Sequence, residues 1–325
     1  MTDIPPLPFV SIIIPMYNAA STLGQCLDSL THLDYPMERL EILCVDGRST
    51  DTSREIAAAY PVRLLDNPQR GVVSGRNRGW EAARGELIAF SDADCTFDAS
   101  WIRAAVRYFT DATVAGVTGP IELPVGGNTL GTCINLLFRL AATFAGGGHE
   151  NEVPIVRPAK HLPTCNAIFR ASLLRKVMPI PEHFVTGEDV AMSHQLQLWG
   201  YQLLSVPDVR VQHGKRSTLI GFAKQMHWYA RARRQLSRAW PALGGTLHRL
   251  VPWMLVGGLL LIGVGLWLNL GMTLLIGGVG WLLVAFIGVV CTGRLAAFFW
   301  QPLVVLTFLV SWTLGYVQES FLPKR

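Results

Sequence analysis

The chain has 325 residues, half of them apolar and 16% charged, with a formal net charge of +5. This length suffices for one large domain or two smaller ones, and so modest a charge does not favour nucleic acid as a partner. The apolar excess is concentrated, because residues 250–293 and 295–318 contain no Asp, Glu, Lys or Arg. Such runs are typical of membrane-spanning helices rather than of buried core helices.

Short apolar strands alternate with helical segments through the first 110 residues. Strands are expected at residues 10–15, 41–46, 62–65 and 87–90, and helices at residues 23–30, 51–59, 76–83 and 101–109. Further along, strands are expected at residues 114–119, 201–206 and 209–213, and helices at residues 135–144 and 190–199. This alternation predicts right-handed crossovers and an α/β fold with a mostly parallel sheet.

Acidic residues follow two of these strands directly. Asp46 ends the second strand, and Asp92 and Asp94 come just after the fourth. Ligands of open α/β sheets bind beyond the carboxyl ends of the strands, so these carboxylates are expected at a ligand site. Two carboxylates this close favour a hard divalent cation such as Mg²⁺. The alternative is a solvated turn in which Asp94 caps a helix.

Several other classes of site are excluded by the motifs that the chain lacks. It contains no GxGxxG sequence and no Walker lysine motif, which argues against a dinucleotide dehydrogenase and a P-loop NTPase. Its six cysteines show no CxxC pair or zinc spacing.

Five short motifs then occur in a characteristic order. They are Pro15-Met16-Tyr17-Asn18, Val45-Asp46-Gly47-Arg48-Ser49-Thr50-Asp51, Arg76-Asn77-Arg78-Gly79, Asp92-Ala93-Asp94 and Gly187-Glu188-Asp189. Together they resemble glycosyltransferase family 2, the inverting enzymes of GT-A (Rossmann-like) fold that use nucleotide-activated sugars. The resemblance covers roughly residues 8–235.

The resemblance implies a donor site and a metal. Asp94 is implied as the direct ligand of Mg²⁺ or Mn²⁺, and His213 either completes the metal shell or is structural. Arg70 and Arg76 either contact the diphosphate or are solvated loop arginines. The remaining donor-site residues implied are Pro15, Tyr17, Asn18 and Asp46 for the nucleoside, Asp92 for the ribose or metal shell, and Asn166 beneath the sugar.

The Glu188-Asp189 pair precedes a predicted helix. Asp189 fits the first helical turn, where the helix dipole favours a carboxylate, so an ordinary cap is one interpretation. The resemblance implies the other, in which Asp189, with Glu188 beside it, is the general base for the acceptor hydroxyl. A glycine-rich segment at residues 146–152 is expected either to close over the substrate or to be a surface insertion.

A basic, aromatic helix is expected at residues 217–240, of the amphipathic kind that lies in the headgroup layer. Membrane-bound relatives carry a Gln-x-x-Arg-Trp motif here. In this chain Trp228 matches the tryptophan, but His227 replaces the arginine and Lys224 the glutamine, which argues against processive polymer synthesis. Trp228 and His227 are expected at the acceptor or membrane interface.

The expected organisation has three parts. Residues 1–215 form a GT-A domain, residues 216–249 an interfacial region, and residues 250–325 a membrane domain with helices at about 250–268, 272–292 and 296–318. No signal peptide is visible in the first nine residues, and arginines cluster before the first span. The positive-inside rule then predicts a multi-pass inner or plasma membrane protein with a cytoplasmic catalytic domain.

The function expected from these features is metal-dependent, inverting transfer of a sugar from a UDP- or GDP-sugar to a hydroxyl. The membrane anchor indicates a lipid or lipid-linked glycan as the acceptor, and self-association into a homo-oligomer is left open. Two alternatives remain: a polyisoprenyl-phosphate glycosyltransferase, and a non-catalytic nucleotide-sugar-binding partner in a membrane complex. A transporter is disfavoured because the spans hold only Arg294 between them.

Overall fold

A computed structural model describes most of the chain. The described residues are 7–122, 128–144, 155–182, 184, 186–214, 218–244 and 246–322. The glycine-rich segment at residues 146–152, expected to close over the substrate or to be an insertion, lies outside them.

The chain divides into two compact units. One consists of Met1–Pro124 with Glu150–Gly214, and the other of Val125–His149 with Lys215–Arg325. The sequence suggests one continuous domain over residues 1–215, whereas this division groups residues 125–149 with the C-terminal helices. The difference is physical: the helix in that segment packs its apolar face on those helices.

The first unit holds all the described strands. They are β1 (Val10–Met16), β2 (Leu40–Asp46), β3 (Arg63–Asp66), β4 (Leu87–Phe90), β5 (Cys95–Phe97), β6 (Val114–Thr118), β7 (Ile121–Glu122), β8 (Arg157–Pro158), β9 (Ala167–Arg170), β10 (Gln202–Ser205) and β11 (Val211–His213). Its helices are α1 (Leu23–Thr31), α2 (Ser53–Ala58), α3 (Val72–Ala82), α4 (Trp101–Val106), α6 (Ala171–Leu174) and α7 (Glu188–Leu198), with 3-10 turns at Met37–Arg39 and Arg107–Thr110.

Eight strands form one sheet in the order β3-β2-β1-β4-β9-β6-β10-β8. The strands β3, β2, β1 and β4 are mutually parallel, and β6 is parallel to β10. Strand β9 is inserted antiparallel between β4 and β6, and β8 is antiparallel to β10. The sheet is therefore mostly parallel, as expected, but its centre contains a reversed strand that the alternation of strands and helices does not predict.

The parallel strands are formed by apolar runs rather than by alternating patterns. Strand β2 is buried at every position, and β1 is buried except at Pro15, because helices cover both faces. Helix α1 contributes Leu23, Cys26, Leu27 and Leu30 to the core, a spacing that places them on one helical face.

A second, three-stranded sheet has the order β5-β11-β7. Strand β11 is antiparallel to β5, with His213 opposite Cys95, and parallel to β7. The sequence predicts residues 209–213 as an edge strand, and this is wrong: β11 is the central strand of the small sheet and pairs with β5 on one side and β7 on the other.

The second unit is helical in the part that the structure describes. Its helices are α5 (Thr129–Phe144), α8 (Leu219–Ala239), α9 (Thr246–Leu268), α10 (Leu270–Thr292) and α11 (Ala297–Phe321), with a 3-10 turn at Pro241–Gly244. The last three are long and apolar enough to cross a membrane. They match the three segments predicted near residues 250–268, 272–292 and 296–318.

Candidate active site

The candidate site lies at the carboxyl ends of β1, β2 and β4. Parallel neighbours in a sheet end at the same edge, so Tyr17, Asp46 and Asp92 are brought together by the register of these three strands. Three residues other than glycine have positive φ in the described chain, namely Asn18 (49°), Arg48 (64°) and Arg70 (56°). All three lie in the loops at this edge, and such backbone strain clusters at functional sites.

Asp46 is almost completely buried at the end of β2. It accepts hydrogen bonds from the Ser49 backbone N–H (3.1 Å) and from the Arg54 guanidinium (2.8 Å). Burial on its own would raise the pKa of Asp46, but these hydrogen bonds outweigh it and hold the pKa below its usual range. The carboxylate is therefore ionised and fixed in orientation.

The loop after β1 provides an aromatic surface next to Asp46. Asn18 Oδ1 accepts the Thr50 backbone N–H at 2.8 Å, which joins the loops after β1 and β2. The Tyr17 side chain is 54% exposed, and the Arg70 guanidinium lies over its ring at 5.8 Å from the centroid. Gly47 lies between these loops, and a Cβ there would make ordinary van der Waals contact with Met16 O and Tyr17 Cβ, at 3.5 and 3.7 Å.

Arg76 joins the donor-side acids to the start of α7. It is only 3% exposed, it donates to Asp92 Oδ1 at 2.7 Å, and its other terminal nitrogen pairs with Glu188. Burial lowers the pKa of Arg76, but the charges of Glu188, Asp92 and Asp189 raise it further than burial lowers it. The guanidinium is thus a buried, charged bridge between carboxylates rather than a solvated loop arginine.

Glu188 and Asp189 face different surroundings. Glu188 is 2% exposed, and burial raises the pKa of its carboxyl against the opposing effect of Arg76. Asp189 is partly exposed in the first turn of α7, and its Oδ1 accepts the Val190 backbone N–H at 2.8 Å. Of the two, only Asp189 presents a carboxylate that a ligand could reach.

Asp94 and His213 form a pair at the end of the small sheet. Their Oδ1 and Nε2 atoms are 3.2 Å apart, and the Gly214 backbone N–H donates to Asp94 O at 3.2 Å. Burial lowers the pKa of His213, but hydrogen bonds with Asp94 and Cys165 outweigh it and raise the pKa to about 11. The ring must lose this proton before it can bind a metal ion.

The residues at this position fit a divalent cation. Ligand-type atoms of Asp94, Cys95 and His213 lie within 4.8 Å of one another. Burial raises the pKa of Cys95 well above its usual value, so its thiol stays protonated and is a poor ligand. A carboxylate and an imidazole remain, which leaves coordination positions for phosphate oxygens on a cation such as Mg²⁺ or Mn²⁺.

The Asn166 side chain is not exposed at the candidate site. Its side chain is fully buried, its Oδ1 accepts the Trp101 indole N–H at 2.8 Å, and its amide donates to Val209 O at 2.8 Å. It therefore connects the segment before β9 to the loops around it. Its side-chain oxygen and nitrogen already bind protein atoms and do not face a donor sugar. Its neighbour Cys165 does line the site, through its hydrogen bond with His213.

His227 and Trp228 belong to α8, in the second unit. Their rings make an edge contact at 6.3 Å, and the Arg231 guanidinium lies over the Trp228 ring at 5.1 Å. Trp228 is exposed, as its predicted interfacial role requires, and that role stays a prediction.

Sequence reasoning missed two residues that hold the site together. Arg54 bridges Asp46 and Asp66, and Ser49 binds Asp46 through its backbone. The signal for Arg54 was present, because it lies in the first turn of the helix that follows the Asp46 loop. Cys165 is a third residue that sequence reasoning missed. Nothing in the sequence indicates its hydrogen bond with His213, because that contact depends on the position of β11 in the small sheet.

Comparisons with known proteins identify the family. The family model described as glycosyl transferase family 2 matches residues 11–178, more than half of the chain. This chain belongs to glycosyl transferase family 2. It is a glycosyltransferase with a GT-A fold, as the resemblance in its sequence implied.

Two curated relatives and one solved structure are similar over most of the chain. Glycosyltransferase AglE of Haloferax volcanii is 31% identical over 65% of this chain and 68% of its own length. The dolichyl N-acetyl-alpha-D-glucosaminyl phosphate 3-beta-D-2,3-diacetamido-2,3-dideoxy-beta-D-glucuronosyltransferase of Methanococcus voltae is 24% identical over 69% of this chain and 73% of its own length.

The solved structure is the mannosyltransferase PcManGT from Pyrobaculum calidifontis in complex with GDP-Man and Mn²⁺. The two chains are 20% identical with a TM-score of 0.69, and the match covers 96% of this chain and 88% of the PcManGT chain. The similarity establishes that the two chains share a fold.

Proposed function

We propose that this glycosyltransferase moves a sugar from a UDP- or GDP-sugar to a hydroxyl of a lipid-linked acceptor, with inversion at the anomeric carbon. The observation that carries the proposal is the meeting of Asp46, Asp92, Asp94 and the start of α7 around one edge of the sheet, with Arg76 as the bridge. In this proposal Asp46 binds the nucleoside, Asp94 holds the cation at the diphosphate, and Asp189 acts on the acceptor.

The donor end is formed by the loops after β1 and β2. The ionised, fixed carboxylate of Asp46 is an acceptor for N–H or O–H groups of a nucleoside, and the exposed Tyr17 ring is a stacking surface. Arg70 is exposed beside it and can donate to phosphate oxygens. Arg76, by contrast, has both terminal nitrogens engaged by carboxylates, so it serves to neutralise them.

Asp94 and His213 would hold a divalent cation against the donor diphosphate. A bound Mg²⁺ or Mn²⁺ would supply neutralisation of the charge that develops on the leaving nucleoside diphosphate. The Mn²⁺ and GDP-Man named for PcManGT support a cation and a nucleotide sugar for this fold. His213 contributes a neutral imidazole, so its proton must leave when the cation binds.

Asp189 is proposed as the general base. It accepts the proton of the acceptor hydroxyl while the acceptor oxygen forms a bond to the anomeric carbon and the bond to the diphosphate breaks. A single displacement of this kind inverts the configuration. Glu188 cannot take this role, because its carboxylate is buried against Arg76.

The acceptor is proposed to be membrane-bound. Three helices of the second unit are long and apolar enough to cross a membrane, which favours a lipid-linked substrate and a cytoplasmic catalytic unit at an inner or plasma membrane. The name of the Methanococcus voltae relative specifies a lipid-linked sugar phosphate as acceptor, which supports a sugar hydroxyl rather than a lipid phosphate.

The test uses the full-length protein in nanodiscs, a panel of UDP- and GDP-sugars, and a lipid extract. Asp189→Asn should bind the donor as the unaltered protein does and lose about a thousandfold in transfer rate, because it lacks a base. The surface variant Asp208→Asn, which changes only an exposed ion pair with Arg107, should keep both. Mild acid should release the transferred sugar as part of a disaccharide or longer saccharide, because its new bond is a glycosidic bond to the sugar of the acceptor.

Three results would contradict parts of the proposal. Full transfer by Asp189→Asn would refute the base. Release of the transferred sugar by mild acid as a free monosaccharide would show a polyisoprenyl-phosphate acceptor instead. Binding of none of the nucleotide sugars would refute the donor class.

A further inference from the structure

Helix α11 has one exposed, apolar face along its entire length. Seven exposed apolar side chains recur every three or four residues, which places them on a single stripe of the helix, while Phe298 and Gln318 are exposed beside it. The stripe consists of Phe299, Leu303, Leu306, Val310, Leu314, Val317 and Phe321.

The opposite face of α11 packs against α8, and the two helices run parallel. A Cβ on Gly315 would lie against the His227 carbonyl, and one turn further along both helices Arg231 pairs with Glu319 at 2.9 Å. Arg238, near the end of α8, donates to the backbone oxygen of Ser320 at 2.7 Å. The first halves meet as well, since Phe222 and Met226 share a cluster with Val304 and Ala297. The contact thus extends along nearly all of α8.

In the part of the chain that the structure describes, the contacts given for α9 and α10 with α11 lie near the base of the α9–α10 hairpin. His248, at the start of α9, stacks on Trp312, whose indole N–H donates to His248 O at 3.3 Å. Near the end of α10, a Cβ on Gly288 would meet the side chain of Gln301 at 2.6 Å. Helix α11 therefore runs across the base of the hairpin, from the end of α10 to the start of α9.

Among the described residues, most side chains on the rest of the hairpin are exposed, and its two arms contact each other where Gly265 lies against Thr273. The most apolar window of α9 is 6% buried and that of α10 is 11% buried, against 33% for α11. Each arm has 23 residues, about 34 Å of helix, which matches the hydrocarbon thickness of a bilayer. The hairpin has the length and the exposure of a pair of spans.

The charged residues of α8 indicate how α11 lies relative to the membrane. Because α8 runs beside it, a spanning α11 would carry α8 into the bilayer together with the charged residues Lys224, Arg231, Arg233, Arg234 and Arg238. Charged side chains at the centre of a bilayer are costly, and several of these lie at the middle of α8. The carboxylate of Glu319, paired with Arg231, would also be carried with them.

We infer that α11 does not cross the membrane: it lies along the boundary between headgroups and acyl chains, its apolar stripe in the lipid and its other face on α8. The protein then has two spans, and α8 and the end of α11 are on one side of the bilayer. This places Arg249 and Arg294, which flank the hairpin, on that same side, while its turn at Asn269 carries no charge. The arrangement obeys the positive-inside rule, which three spans would violate at Lys324 and Arg325.

The first test maps the sides of the membrane in the full-length protein. One epitope tag is placed before Met1, one after Arg325 and one at Asn269, each in a separate version, and protease access is measured in sealed inverted vesicles. The inference requires the two terminal tags to be cleaved and the tag at Asn269 to be protected. Protection of the C-terminal tag together with cleavage of the N-terminal one would show three spans and overturn it.

The second test compares two matched lysine substitutions. Val310→Lys changes an exposed residue at the middle of α11, and Leu282→Lys changes an exposed residue at the middle of α10. The fraction that resists alkaline extraction should fall about tenfold for Leu282→Lys and stay unchanged for Val310→Lys, whose ammonium reaches the headgroups. An equal loss in both variants would contradict a surface position for α11. This inference does not depend on the proposed chemistry.

Discussion

At the scale of single residues, the guanidinium of Arg76 stands between two carboxylates that could not otherwise be so close. Asp92 and Glu188 are held at the two terminal nitrogens of this one side chain. Removal of a buried partner leaves an uncompensated charge, which costs more than an exposed ion pair gains. Arg78, two residues further along α3, offers the comparison, since it makes only an exposed contact with Glu81 at 3.5 Å.

Arg76→Met should therefore lower the free energy of unfolding by about 3–5 kcal/mol, whereas Arg78→Met should change it by about 1 kcal/mol or less. Thermal unfolding of the detergent-solubilised protein measures both. The double variant Arg76→Met/Glu188→Leu should recover part of the loss, because it also removes the buried carboxylate. Equal unfolding temperatures for the two single variants would show that Arg76 is not the structural bridge described.

Glu41, at the start of β2, is another buried carboxylate. It accepts from Ser11 Oγ at 2.6 Å, from the Arg84 backbone N–H at 2.6 Å and from the Arg63 guanidinium at 2.8 Å. Burial alone would raise the pKa of Glu41, but these hydrogen bonds lower it below its usual value. A depressed pKa stabilises the fold above the unfolded-state pKa of about 4.3, and this stabilisation is lost as the pH falls through the folded-state value.

Glu41→Gln should accordingly lower the unfolding temperature at pH 7 and show a smaller further loss than the unaltered protein below about pH 4.3. Glu55→Gln, at an exposed position of α2, is the control and should follow the unaltered protein at every pH. Parallel pH profiles for Glu41→Gln and the unaltered protein would refute the stabilising role of this carboxylate.

The sequence predicted that acids would follow strands ending at one edge of the sheet, because the carboxyl ends of parallel strands meet there. Asp46 ends one apolar run, and Asp92 and Asp94 follow another. These runs alone were enough to predict that the three acids lie at strand ends. The sequence could not predict which side chains would pair with one another. The inward orientation of Asn166 and the contact of Arg76 with Glu188 join residues that are far apart in the chain.

At the scale of elements, the close packing of α3 on β1 depends on a glycine. A Cβ on Gly79 would clash with Cγ2 of Ile13, a fully buried residue of β1. Nothing lies within 4 Å of the corresponding position on Gly24, in α1. The same substitution at these two helical positions therefore has opposite consequences.

Gly79→Ala should lower the free energy of unfolding by about 1–3 kcal/mol, since the added methyl group pushes α3 from the sheet. Gly24→Ala should raise it by about 0.5–1 kcal/mol through its better helix propensity. Denaturation of each variant with urea, followed by tryptophan fluorescence, gives the sign. A stabilising effect of Gly79→Ala would contradict the packing of α3.

The elements of the first unit were predictable where the pattern of residues is local. Strands β1 to β4 and helices α1 to α4 fall close to the predicted segments, because continuous apolar runs and helical periodicity mark them. Strand β9 was missed, since Ala167–Arg170 is short and its antiparallel insertion depends on the neighbouring strands β4 and β6. The pairing of β5 with β11, which brings His213 to Asp94, is also long-range.

At the scale of the whole molecule, composition predicted a catalytic part followed by membrane helices. It could not distinguish a spanning helix from an apolar helix that lies on the membrane surface. Residues 295–318 have the length and hydropathy of a span, whereas the contacts of α11 with the charged helix α8 favour a position at the membrane surface. Hydropathy measures each helix alone, whereas its position in the membrane is set by what it packs against.

The central claim is that the acids at the strand ends bind a nucleotide sugar together with a divalent cation. Calorimetric titration of the full-length protein with the preferred nucleotide sugar, with Mn²⁺ and with EDTA, tests it most directly. We expect about tenfold or tighter binding with Mn²⁺, loss of this gain in Asp94→Asn, and its retention in the exposed control Asp98→Asn. Equal donor affinity with Mn²⁺ and with EDTA in the unaltered protein would contradict the account.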